Sequence, residues 1–206
     1  MTSDAYDFVA RAYADTFPDL RAEEPEEIAF IDRFAELAGV DALALDAGCG
    51  AGRVSAHLRG RGLRVIGVDL SPGMLAMALR DQPWLPTAVA TLTRLPLGDD
   101  TLDAVMFWYS TIHLDDEELV ATLAEASRVL RPGGHVLVGF QTGTGVREVG
   151  EGYRKVGLQV RMLRWHRTVE EMSQRLEDTG LRVVDALDRP TRPDREGQGF
   201  VLAVLD

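Results

Sequence analysis

Short apolar runs alternate with segments of helical periodicity along most of the chain. Leu43–Ala47 is an apolar run that reads as a buried strand, followed by glycines at alternate positions, Gly48, Gly50 and Gly52, and a helical pattern over residues 53–61. Arg64–Asp69 is the next strand. Ser71 and Pro72 then mark a helix start, because a serine hydroxyl satisfies a free backbone N–H and proline fits the first turn. Residues 87–91 and Leu102–Trp108 read as the third and fourth strands. Residues 115–130 form a helix with acids in its first turn and Arg128 and Arg131 near its end, as the helix dipole favours. Pro132-Gly133-Gly134 turns the chain into a fifth strand at 135–140. Strand–helix–strand repetition of this kind implies a parallel sheet.

Two helices precede this core: residues 4–17, stopped by Pro18, and Pro25–Ala38, with Ile28, Ile31, Phe34, Ala35 and Ala38 on one face and Gly39 as its stop. After residue 140 the pattern weakens. Residues 141–157 are glycine-rich and polar, as suits a connection or lid. Residues 158–165 read as a strand, and Val169–Asp178 as a helix capped by Thr168 and ended by Gly180. Residues 181–187 and 200–205 are two closing strands joined by a polar loop. A terminal hairpin places one antiparallel strand in a mixed sheet.

The chain has 206 residues, of which 46% are hydrophobic and 27% charged, enough for a sizeable core. Its net charge of −11 disfavours nucleic acid and anionic membranes as partners, although residues 154–167 are locally basic. The apolar runs are too short to span a bilayer. Cys49 is the single cysteine, and residues 1–10 lack the layout of a signal peptide. These features imply a soluble, cytoplasmic protein.

The glycine turn after the first strand allows close backbone approach to a ligand. Asp69, ending the second strand, stands where an acid accepts hydrogen bonds from a ribose diol. A nucleoside-containing cofactor follows. A dinucleotide site needs G-x-G-x-x-G, but Arg53 stands where the third glycine belongs, which argues against NAD.

The phrases DAGCGAGR, VIGVDLSPGML, LPLGDDTLDAVMFWYSTIHL and VLRPGGHVLVGF, in that order, resemble class I S-adenosylmethionine-dependent methyltransferases of the compact bacterial small-molecule type. The resemblance covers roughly residues 6–140. It implies an α/β, Rossmann-like, doubly wound mixed sheet of seven strands with the last antiparallel and helices on both faces. It also implies a single domain over 1–206, with lid helices in 1–40, a cofactor-binding core in 41–140 and a substrate-side insert with closing strands in 141–206. The expected activity is metal-independent methyl transfer from S-adenosylmethionine to an oxygen or nitrogen of a small molecule, by a monomer or homodimer. A cofactor-binding regulatory module without methyl transfer, and an NAD-dependent oxidoreductase, are the alternatives.

By the same resemblance, Gly48, Cys49 and Gly50 contact the methionine part of the cofactor, and Asp46 bonds the turn or the cofactor amine. Asp69 takes the ribose, and Leu70 and Met74 flank the adenine. Thr91 stands where relatives have an acid for the adenine amine, and the Leu92 backbone is an alternative donor to adenine. Trp108 and Tyr109 lie beside the sulfonium. Tyr6 and Tyr13 on the first helix, and Arg53 from the turn, are candidates for the cofactor carboxylate.

Other readings stand beside these. Cys49 suits a small packed residue better than a nucleophile. The acids at 115–118 answer the helix dipole rather than a metal. His57 and His135 fall inside regular elements, while His166 ends a late strand near the expected substrate entrance. His113, after the fourth strand, is a candidate general base, a substrate hydrogen-bonder or a packed loop residue. It is paired with Tyr109 as the catalytic candidates, with His166 and Tyr153 in reserve.

Overall fold

The computed structural model describes residues 2–149, 162–193 and 195–206. Its strands are β1 (Leu43–Ala47), β2 (Arg64–Asp69), β3 (Thr87–Val89), β4 (Leu102–Trp108), β5 (Leu130–Gln141), β6 (Gly145–Glu148), β7 (Leu163–His166), β8 (Leu181–Arg189) and β9 (Gln198–Leu205). Seven of them form one sheet in the order β3-β2-β1-β4-β5-β9-β8. Pairing is parallel from β3 through β5, and β9 is antiparallel to both β5 and β8. The last strand is thus the antiparallel one, as expected. Chain order reverses between β1 and β4, which opens a crevice at their carboxyl ends.

The helices are α1 (Thr2–Thr16), α2 (Pro25–Ala38), α3 (Arg53–Gly60), α4 (Pro72–Asp81), α5 (Asp116–Val129) and α6 (Val169–Asp178), with a short 3-10 turn at Leu20–Ala22. Successive strand side chains point to opposite faces. Leu45, Val105, Phe107 and Val138 pack with Leu119 and Leu123 of α5 and Met172 and Leu176 of α6. Their neighbours Ala44, Met106 and Leu137 pack with Ile31 and Phe34 of α2 and Val54 and Leu58 of α3. A sheet covered on both faces explains why its strands read as continuous apolar runs.

The acids at 115–118 cap α5. Asp115 accepts from the Glu118 N–H at 2.9 Å, and Glu118 accepts from the Asp115 N–H at 3.0 Å. Thr168 and Glu171 do the same for α6.

Several elements differ from the sequence reading. β3 ends at Val89 rather than residue 91. β5 starts at Leu130, which pairs with Leu102 before a register shift, so the Pro-Gly-Gly turn is a bulge within the strand rather than a break before it. Residues 145–148, expected as part of an unstructured connection, form the antiparallel β6–β7 ribbon. Trp165 N–H donates to the Ile112 carbonyl at 2.9 Å and ties this ribbon to the loop after β4. Of the strand expected over 158–165, residues 158–161 lie outside the described residues. So do Tyr153 and the basic residues between 154 and 161.

Candidate active site

The site is built at the carboxyl ends of β1, β2 and β4. After β1 the chain turns through Gly48, Gly50 and Gly52, all at positive φ. The N–H groups of Gly48 and Cys49 both donate to the Val68 carbonyl, at 2.8 and 2.9 Å. A Cβ on Gly48 would lie 2.3 Å from Cβ of Ser110, so the turn is pressed against the loop after β4. Gly67 admits Cys49 in the same way, since a Cβ there would lie 2.7 Å from its Sγ. Cys49 is buried and its thiol is pushed up by that burial and by Asp46 and Asp69. It is a packed residue rather than a nucleophile.

Asp69 joins this turn to the next helix. Its two carboxylate oxygens accept from the Gly50 N–H at 2.9 Å and the Ser71 N–H at 2.8 Å. Burial nevertheless pushes its proton affinity up, against those donors. Asp46 is 2% exposed, accepts from Ser55 Oγ at 2.5 Å, and is pushed up to about 6 by burial. Two carboxylates with raised proton affinity thus share one wall.

Helix α1 closes the opposite side. Asp7 Oδ1 accepts from Ser71 Oγ at 2.5 Å and from the Gly73 N–H at 2.7 Å, which docks α1 on the start of α4. Tyr6, Tyr13 and Phe17 form an aromatic row along it, with Tyr6 and Tyr13 centroids 6.3 Å apart and Tyr13 and Phe17 5.0 Å apart.

His113 lies across from this row. Its Nδ1 is 2.6 Å from the Leu163 carbonyl, so that nitrogen carries the hydrogen and donates it. Burial holds the imidazole below its usual range, and the nearby Arg164 adds to the effect. In the neutral ring Nε2 is then a bare acceptor, and it receives the Tyr6 hydroxyl at 3.1 Å. Tyr6, a candidate for the cofactor carboxylate, is thus hydrogen-bonded to the candidate base in the ligand-free protein.

Tyr109 also departs from expectation. It sits at φ 58° on the cavity wall, but its hydroxyl donates to Glu27 Oε1 at 2.7 Å and accepts from Gln198 Nε2 at 2.8 Å. Glu27 is fully buried and is further held by Arg189 and Arg195. Burial and Glu27 push the phenol well above its ordinary value, so it keeps its proton. This hydroxyl ties the loop after β4 to α2 and β9.

Arg53 is drawn inward rather than left on the surface. It pairs with Glu23 Oε1 at 2.5 Å, which also accepts from Trp108 Nε1 at 3.3 Å. His57 pairs with Asp32. His166, expected near the entrance, is 4% exposed and does not line the cavity.

Apart from the reserve candidates His166 and Tyr153, the site residues picked from the sequence all line one cavity of about 580 Å³. Asp46, Gly48, Cys49, Gly50 and Arg53 come from the first turn. Asp69, Leu70 and Met74 come from the second, and Thr91 and Leu92 from the loop after β3. Trp108, Tyr109 and His113 follow β4, and Tyr6 and Tyr13 reach in from α1. The cavity also has walls that sequence reasoning missed: Phe17, Ser110, Gln141 and Arg164. Phe17 was legible as the next aromatic one turn beyond Tyr13, and Gln141 as the carboxyl end of β5. Arg164 had no local signal.

Fold and cavity together define an α/β protein that binds a nucleoside-containing ligand at the switch point of its sheet. Residues 45–138 match the methyltransferase domain family. Over that stretch the chain is similar to class I S-adenosylmethionine-dependent methyltransferases. It is similar to the malonyl-acyl-carrier-protein O-methyltransferase of Serratia marcescens, 37% identical over 117 residues, which is 54% of this chain and 43% of that protein. It is similar to the demethylmenaquinone methyltransferase of Streptomyces avermitilis, 35% identical over 94 residues, 46% of this chain and 40% of that protein. The chain spans less than half the length of the curated relatives it matches. The structure of Burkholderia thailandensis 1,6-didemethyltoxoflavin-N1-methyltransferase, with 1,6-didemethyltoxoflavin and S-adenosylhomocysteine bound, has a TM-score of 0.73 at 22% identity. It covers 99% of this chain and 88% of that one, a likeness of fold.

The residues fit S-adenosylmethionine. A cationic ligand relieves the raised proton affinity of Asp46 and Asp69, and the Asp69 oxygens keep lone pairs for a diol beyond their two backbone donors. The positive φ of Gly50 disfavours a side chain at the floor of the turn, and a Cβ built there would displace Met74 Cε, 2.9 Å away. Among the described residues no helix is long and apolar enough to cross a membrane.

Proposed function

We propose that this chain transfers a methyl group from S-adenosylmethionine to a nitrogen or oxygen of a free small molecule, as a monomer or homodimer in the cytoplasm. The observation that carries the reading is the convergence of the motif residues and a neutral histidine on one cavity. The cofactor, when bound, supplies an electrophilic methyl group on a sulfonium. Asp69 holds the ribose end, with Leu70, Met74, Thr91 and Leu92 around the base. Asp46, Gly48, Cys49, Gly50, Arg53 and Tyr13 hold the methionine end, and Trp108 closes the wall beside it.

Alignment of acceptor and methyl group is the main effect of the chain, worth up to about 7–11 kcal/mol where the geometry is well fixed. His113 acts on acceptors that arrive protonated. Its Nε2 takes the proton, and the Leu163 carbonyl on Nδ1–H favours the imidazolium formed. Tyr6 yields its place on Nε2 to the acceptor.

The test is a thermal shift with S-adenosylhomocysteine followed by methyl transfer from labelled cofactor to an acceptor panel. A ligand that binds only the native state raises its stability. A rise with S-adenosylhomocysteine and none with NAD is expected, and the reverse refutes the reading. A rise without transfer to any acceptor favours a binding module.

A further inference from the structure

Beside the main cavity lies a second chamber of about 350 Å³. Tyr13, Phe17, Arg53, Tyr109 and Gln141 line both, so the two share a wall. Ala22, Glu23, Arg195, Glu196 and Gln198 complete the second one. Its walls include Arg53 and Tyr109 but neither Asp69 nor Leu70, which places it at the end of the main cavity away from the ribose acid.

The charges of this chamber are already paired. Arg53 holds Glu23. Arg195 holds Glu24 and Glu27, at 2.9 and 3.0 Å. Glu196 is held by Arg164. An anionic acceptor finds no unpaired cation among the described residues of the chamber, and exchanging one of these pairs for a ligand carboxylate would strand its own.

Two oxygens in the walls are not satisfied. Glu23 Oε2 and Gln141 Oε1 are buried and lack a hydrogen-bond partner. The Glu23 side chain is only 5% exposed. A buried acceptor without a donor is costly, and a ligand N–H or O–H within reach of it removes that cost. Among the other walls, Tyr13, Phe17 and Tyr109 are aromatic.

We infer that this chamber is the acceptor subsite and that it takes a planar, uncharged heteroaromatic molecule bearing N–H donors, read by Glu23 and Gln141, rather than a carboxylate or phosphate. The inference rests on the methyl-transfer reading above and names its substrate class. Aromatic walls stack on the ring. The donors point to the two oxygens, and the ring nitrogen or oxygen to be methylated points to His113.

The test uses a matched pair of probes. Lumazine carries two ring N–H groups, and 1,3-dimethyllumazine has the same ring system without them. Benzoate and phenyl phosphate are the planar anions. Affinities are measured by calorimetry with and without saturating S-adenosylhomocysteine. Lumazine is expected to bind at least about tenfold more tightly than its dimethyl counterpart and than either anion, the loss that follows from one unmade buried hydrogen bond. In Gln141→Leu the gap between the lumazines should shrink at least threefold, about half of that loss. Protection by S-adenosylhomocysteine shows that the variant is folded, and Gln141→Asn is the fallback if it is not. Equal binding of the two lumazines, tighter binding of an anion, or no binding of lumazine overturns the inference. Failure of S-adenosylhomocysteine to bind the wild type is a separate result and overturns the methyl-transfer reading.

Discussion

Replacing Asp46 by asparagine should make the ligand-free protein more stable and its cofactor binding weaker. Asp46 is buried under the glycine turn with Ser55 as its hydroxyl donor, and burial lifts it from 3.8 to about 6. The folded protein therefore holds this proton more tightly than the unfolded chain does. Between about pH 4 and 6 the native state binds the extra proton, so the contribution of this group to stability falls as pH rises through that window. Above about pH 6 the cost is complete, and a displacement from 3.8 to about 6 corresponds to about 3 kcal/mol. Asparagine keeps the shape and still accepts from Ser55, but it has no charge to bury. Urea unfolding of the ligand-free variant at about pH 7.5 should show a gain of up to about 3 kcal/mol that disappears near pH 4. Calorimetry at the same pH should show S-adenosylmethionine binding weakened by about 1.5–3 kcal/mol, the range for a hydrogen bond to a charged group. A variant less stable than wild type at about pH 7.5, or a gain that persists at about pH 4, would refute the reasoning.

Asp69→Asn should weaken S-adenosylhomocysteine binding by about 1.5–3 kcal/mol in calorimetry, and an unchanged affinity removes Asp69 from the ribose site. Gly48→Ala should destabilise the fold by more than about 1 kcal/mol, because φ is 83° and the new Cβ meets Ser110. Part of that loss should return in the Gly48→Ala/Ser110→Gly double variant, measured by chemical denaturation. His113→Ala should lower kcat by roughly 10²–10⁴ with S-adenosylhomocysteine affinity unchanged. Because burial holds the imidazole below its usual range, wild-type activity should persist to the acid side of about pH 6.5 before it falls, since only the neutral ring accepts a proton. Tyr109→Phe should cost about 1–3 kcal/mol of stability by removing a donor from buried Glu27. Normal stability with collapsed turnover would instead make that hydroxyl a reacting group.

Where burial is set locally, the sequence was easy to read. β1, β2 and β4 begin and end where their apolar runs do, because both faces of each strand are covered. α2 and α6 are bounded by Pro25 and Thr168 at their starts, where capping chemistry is local. Most of the cavity residues were legible for the same reason: apart from Tyr6 and Tyr13 on α1, they sit at or a few positions past the carboxyl end of a strand, the edge at which such a sheet binds. What was hidden depends on partners far along the chain. Glu27 reads as a first-turn acid of α2, yet it is fully buried by Tyr109, Arg195 and Gln198 from distant segments. The β6–β7 ribbon has exposed β6 side chains and no apolar alternation, so its pairing leaves no mark on residues 145–148. The Tyr6–His113 bond joins residues 107 apart, and nothing in either neighbourhood announces it.

That bond has a kinetic implication. His113 offers a single lone pair to the cavity, and a phenol carried by α1 sits on it. In the resting protein the base is already occupied, so water entering the site meets a quenched imidazole. If His113 is the base, an acceptor gains it by exchanging with Tyr6, a residue of the helix that Asp7 anchors to α4. Admission and activation of the acceptor then become one event. Molecules whose acidic group bonds imidazole less well than a phenol does are turned away before any methyl group moves.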